Sequence, residues 1–208
     1  MKKIAFSIII LFMLCNTNAQ SKITGVYYLH GVMETASVFL VKPDSTFEFF
    51  FSYGAIDRYG SGKWSVSGDK IILNSDKKPG QNFKMITSKK TDNNYITVKI
   101  TDSNAYLLNH VYAGLQFADT TLGDISDENG EIKISKKDPQ KISLTFEFCP
   151  EKTSVFNIDK TLNYFEFKFE PWIAEVFFTD FPLALAADEL TGRHPLLENK
   201  IYHYEKEK

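Results

Sequence analysis

An all-β fold is what this chain predicts, and three features of its 208 residues carry the prediction. Apolar and polar side chains alternate with period two in run after run. β-Branched and aromatic residues fill those runs, and clusters of Gly, Pro, Asp, Asn and Ser separate them. The first such run is 38–41, parted by Pro43-Asp44-Ser45 from 46–53. There Phe47, Phe49, Phe51 and Tyr53 share one face, with Glu48, Phe50 and Ser52 opposite. Phe50 makes both faces apolar, which predicts that this strand packs between two layers or beneath a loop. Residues 64–66 and 71–73 flank Ser67-Gly68-Asp69, a short hairpin signal.

Further along, Ile96, Val98 and Ile100 alternate with Thr97, Lys99 and Thr101, and Glu128-Asn129-Gly130 introduces the strand 132–134. Ile142, Leu144, Phe146 and Phe148 alternate with Ser143, Thr145, Glu147 and Cys149, and Phe165, Phe167 and Phe169 with Glu166, Lys168 and Glu170. Such alternation is what a sheet with one buried face requires. Pro182 and the Leu183/Leu185 alternation make 181–190 a strand pair rather than a helix turn. The polar stretches 74–82 and 88–94 read as linkers or long hairpin tips.

Residues 1–19 read as a secretory signal peptide. Lys2 and Lys3 precede an apolar run over 4–14, and Thr17-Asn18-Ala19 supplies small residues for a cut before Gln20. The run is shorter than the ~20 apolar residues of a spanning helix, so no membrane span is expected. Lipid anchoring at Cys15 is disfavoured because Met13 and Leu14 are bulky where a small residue is wanted. The expected location is periplasmic or secreted. Cleavage would leave Cys149 as the one cysteine, without a disulfide partner, and 22 basic residues against 26 acidic ones. That acidic balance argues against nucleic acid as a partner.

Two stretches carry a resemblance. The first runs through Asp44-Ser45-Thr46-Phe47, Ser52-Tyr53-Gly54-Ala55, Asp57-Arg58, Gly60-x-Gly62-x-Trp64 and Gly68-Asp69-x-Ile71-x-Leu73. It resembles lipocalin-like secreted bacterial domains, with Ser45 standing where their pattern has glycine. The second, Gly123-Asp124-Ile125-Ser126-Asp127-Glu128-Asn129-Gly130-Glu131-Ile132-x-Ile134, with Val98-x-Ile100-x-Asp102 before it, is similar to carboxypeptidase-regulatory-like modules. The tail, from Glu170-Pro171-Trp172 through Gly192-Arg193-His194-Pro195 to Tyr204, resembles that of a largely uncharacterised secreted bacterial family that combines both parts. The resemblance implies an antiparallel lipocalin-like barrel or sandwich carrying an inserted immunoglobulin- or transthyretin-like β-sandwich, with no catalytic residue carried over. The expected domains are 20–92 plus 171–208 for the barrel and 93–170 for the sandwich. The meander up to Ile86 offers too few strands for a barrel of ~8, so 173–178, 181–185 and 200–204 are expected to complete it.

Chemistry-bearing motifs are sparse. The chain has no zinc spacing, no phosphate-cradling glycine loop and no nucleophile elbow, and no cofactor is expected. His30, His110, His194 and His203 are scattered singly. Asp124, Asp127 and Glu131 crowd one hairpin, but turn formation accounts for them as well as calcium does. The arginines are more telling. Only Arg58 and Arg193 occur beside 22 lysines, both in glycine-flanked segments that read as loops. A guanidinium fork grips carboxylates bidentately. Either each arginine pins its loop to carbonyls or to a nearby acid such as Asp57 or Glu189, or both rim one barrel mouth and hold an anionic group.

The expected ligand-binding residues are therefore Tyr53, Asp57, Arg58, Arg193 and His194, with no catalytic or metal residue. The expected function is non-catalytic binding of a small apolar or amphipathic ligand. The alternative is a structural or protein-partner module of the cell envelope. A hydrolase using Asp57 or Glu34 with His194 comes last.

Overall fold

The computed structural model describes residues 23–54, 56–76, 80–135 and 138–208, so the expected signal peptide lies outside the described residues. In chain order the strands are β1 (Gly25–Leu29), β2 (Ala36–Val41), β3 (Thr46–Tyr53), β4 (Ile56–Ser67), β5 (Lys70–Asn74), β6 (Phe83–Lys89), β7 (Ile96–Thr101) and β8 (Val111–Gln116). There follow β9 (Thr121–Ile125), β10 (Glu131–Ile134), β11 (Lys141–Phe146), β12 (Thr153–Asn157), β13 (Tyr164–Phe169), β14 (Glu175–Val176), β15 (Phe181–Ala186), β16 (Glu189–Arg193) and β17 (Ile201–Lys206). One 3₁₀ turn, Ala105–Leu107, interrupts them. The protein is all-β.

Two compact units divide the chain. One comprises the described residues of Met1–Lys78 and Glu175–Lys208, the other those of Pro79–Ala174. The seams therefore lie near 78/79 and 174/175, where the sequence suggested 92/93 and 170/171. The difference rests on β6, expected in the barrel meander, which pairs with β13 in the second unit.

In the first unit the order β4-β3-β2-β1-β17-β16-β15-β5 closes through β5 on β4 into an eight-stranded antiparallel barrel. Of the segments expected to complete the barrel, 181–185 and 200–204 do so through β15 and β17, whereas 173–178 yields only β14, which adds to β4 in parallel outside the closed ring. Closure depends on pairing across more than a hundred residues, as in Leu73 opposite Phe181 and Ile71 opposite Leu183. Eight strands leave an interior that side chains can fill. Tyr27, Phe39, Val41, Phe47, Phe49, Trp64, Ile71, Leu73, Leu183, Leu190 and Tyr204 fill it. Phe178 plugs the centre, its ring 5.2 Å from Phe47, 5.3 Å from Phe49 and 6.0 Å from Phe39 between centroids. Gly60 makes the space: a Cβ there would sit 2.7 Å from both the Phe178 ring and the Val176 carbonyl oxygen.

Turn chemistry sets the first hairpin. Lys42 N–H donates to Thr46 O, Ser45 N–H to Lys42 O, and the Asp44 carboxylate accepts from the Thr46 backbone. Ser45 takes the left-handed conformation, φ 64°, that closes a three-residue loop. The sequence expected the 57–60 and 192–195 segments to be loops. Residues 57–60 are instead part of β4 and 192–193 part of β16, while 194–195 lie beyond that strand as expected. Glycine and charge made 57–60 read as a loop, yet its backbone pairs with β3 from Ile56 to Lys63.

The second unit is a sandwich of two four-stranded sheets, β10-β7-β13-β6 and β12-β11-β8-β9. Val98, Ile100, Phe165 and Phe167 of one face Val111, Leu115, Leu144 and Phe146 of the other as buried core. Rings join the sheets, Phe146 to Phe169 at 5.0 Å and Phe156 to Phe167 at 4.9 Å. Cys149 is buried and carries no disulfide.

Candidate functional site

The five residues singled out by the sequence separate across the barrel wall. Tyr53 and Asp57 are exposed beside the β3–β4 turn at Gly54. Arg58 points inward and is buried, directly across from Phe51, which in turn lies across from Ser37 of β2. His194 is also buried, its ring 4.8 Å from Phe51. Arg193, one position earlier, is exposed on the outer wall.

His194 is held from both sides. Leu196 and Leu197 donate their backbone N–H groups to Nδ1, each at 3.0 Å. The ring proton therefore sits on Nε2, which donates to Ser37 Oγ at 3.1 Å. Activation of a serine by histidine needs the reverse polarity, with an Nε2 lone pair accepting from the hydroxyl. The pair is wired as a structural clamp. Burial among Phe49, Phe51, Tyr202 and Tyr204 pushes the imidazole pKa down to about 4, because a desolvated ring resists taking charge.

The acidic hairpin of the sandwich is likewise accounted for. The Asp127 carboxylate accepts from the backbone N–H groups of Asn129 and Glu131, which holds its pKa below the usual range. Glu131 meets Lys133 and Lys99. Among the described residues no cluster of three or more His, Cys, Asp or Glu side chains is placed to hold a metal ion. No helix there is long and apolar enough to cross a membrane.

Binding space lies on the outer wall of the barrel. Register across β1–β4 stacks two outward rows, Tyr28–Val38–Phe50–Tyr59 and Val26–Leu40–Glu48–Ser61. Together with Glu175 they line a groove of about 640 Å³. Four aliphatic or aromatic side chains form its floor where an outward strand face would ordinarily be polar. Phe50 and Tyr59 lean together, 5.6 Å between ring centroids, and Glu48 is paired with Lys42. The apolar Phe50 that suggested a second packing layer marks this floor instead. Alternation exposed the clue at Phe50, but Val26, Val38 and Leu40 became a surface only through register.

A second groove, about 630 Å³, crosses β5, β15, β16 and β17 and includes Lys70, Thr191 and Arg193. A third, about 330 Å³, lies among sandwich loops around Asn163. There the Asn163 amide is consumed in holding the backbone of Thr91, Asn93 and Tyr95.

An eight-stranded barrel with grooves outside and rings within, together with a β-sandwich, is the class of molecule these observations define. Compared with protein-family models, with curated proteins and with solved structures, the chain finds no match.

Proposed function

We propose that this is a non-catalytic binding protein, exported to the periplasm or beyond, that holds a small apolar or amphipathic molecule on the outer wall of its barrel. The lipocalin-like resemblance would place such a ligand inside. Packed rings occupy that interior, so the reading moves to the groove of β1–β4. The observation that carries it is the apolar floor Val26, Val38, Leu40 and Phe50 beneath about 640 Å³ of open space. That volume falls among those of small-molecule sites, which pair an apolar lining with a few polar groups. The Tyr28 and Tyr59 hydroxyls, with no hydrogen-bond partner among the described residues, supply the polar contacts at the rim.

The test is titration with Nile red, an uncharged apolar fluorophore. Saturable binding is expected, weakened about tenfold or more by Phe50→Asp, since a buried charge in the contact costs well over the ~1.4 kcal/mol of a decade. Equal binding by the variant overturns the reading.

A second reading, a protein-partner module of the envelope, draws on β9. It is an edge strand with every residue exposed, Leu122 and Ile125 among them. Edge strands with unpaired backbone groups accept a further strand.

A further inference from the structure

The groove on the opposite run of the barrel wall differs in charge from the first and shares none of its lining residues. Register sets its composition. Lys70 of β5 pairs with Ala184 of β15, Ala184 with Thr191 of β16, and Arg193 of β16 with Ile201 of β17. Small outward residues, Ala184 and Thr191, with the backbone of Gly192 beside them, therefore line the groove together with the two cations. Phe181, Pro182 and Ile201 add apolar surface, and Ile201 is 62% exposed.

Neither cation is spent within the protein. Among the described residues the Lys70 and Arg193 side chains have no ion pair, hydrogen bond or ring contact, and the Thr191 hydroxyl has no partner. The one acid in the lining, Asp180, is tied to Asn74 through reciprocal hydrogen bonds of 3.2 and 2.8 Å. The groove thus carries a planar guanidinium, an ammonium and a hydroxyl along one partly apolar lining, in a chain whose overall charge is negative.

We propose that this groove is a binding site for a small organic carboxylate with an apolar body. The guanidinium fork takes the carboxylate through two parallel charge-assisted hydrogen bonds, Lys70 adds a second positive charge, and the body lies over Pro182, Ala184 and Ile201. A volume of about 630 Å³ suits one such molecule rather than a macromolecular partner. The site is independent of the Nile red groove, so either can fail without the other.

Calorimetric titration of the full chain with decanoate, with decanol as the uncharged control, tests it. Decanoate is expected to bind at least about tenfold more tightly than decanol, the worth of one charge-assisted contact. Added salt should weaken it. Arg193→Gln and Lys70→Gln should each lower decanoate affinity about tenfold and leave decanol unchanged. Arg193→Lys should restore only part, because an ammonium lacks the fork. Both residues are exposed, so circular dichroism of the variants should match the parent. Phe50→Asp should leave decanoate binding intact. Absent decanoate binding, equal affinity for decanol, indifference to Arg193→Gln, or loss of binding in Phe50→Asp each overturns the proposal.

Discussion

His194 shows how one residue type acquires opposite meanings. As a lone histidine beside an arginine it suggests chemistry; inside the barrel both ring nitrogens are committed, to Ser37 and to the 196–197 backbone. Its lowered pKa makes a stability prediction. As pH falls below 6.5 the unfolded chain protonates this histidine, while the folded ring resists until about 4. Across that interval the unfolded state binds more protons, so stability present at neutral pH is lost on acidification, by roughly 3 kcal/mol in total. Urea unfolding of the parent and of His194→Gln at several pH values checks this. The parent should lose more stability than the variant between pH 6.5 and 4, and parallel profiles would refute the account.

Hairpins and strands carry the next level of information. Ser45 adopts φ 64° at the β2–β3 turn, a conformation costly for a side chain and free for glycine. Ser45→Gly is therefore expected to stabilise the protein by about 1 kcal/mol, read as a higher urea midpoint with unchanged slope; a lower midpoint would contradict the turn assignment. The resemblance had already marked this position as one where glycine is usual. β4 was less legible. Its Asp57-Arg58-Tyr59-Gly60-Ser61-Gly62 segment lacks the apolar alternation of its neighbours, because Gly60 and Gly62 occupy inward positions. Gly60 is small because Phe178 and the Val176 carbonyl come within 2.7 Å of where its Cβ would be. The strand is held by neighbours distant in sequence, which no local pattern records.

Across the whole molecule, each unit holds its own core and its own tryptophan: Trp64 is buried in the barrel, and Trp172 in the second unit donates its indole N–H to Gln81 O. In a Trp172→Phe background, Trp64 fluorescence follows the barrel alone. Phe178→Ala removes the central plug, and the cavity left behind should cost roughly 3–5 kcal/mol, seen as an earlier Trp64 transition; a change under about 1 kcal/mol would mean that Phe178 is not packed as described. What the residues dictated unaided was the all-β class, most strand positions, the 181–190 strand pair and the need for C-terminal strands to complete the barrel. Those follow from period-two alternation and turn chemistry, which act between near neighbours. Only the tertiary structure decided that Arg58 faces in while Arg193 faces out, that rings fill the barrel, and that Val26, Val38, Leu40 and Phe50 meet on one wall. Alternation tells which residues share a face. Which face encloses the core, and which side chains from remote strands then lie side by side, depends on register and closure between segments more than a hundred residues apart.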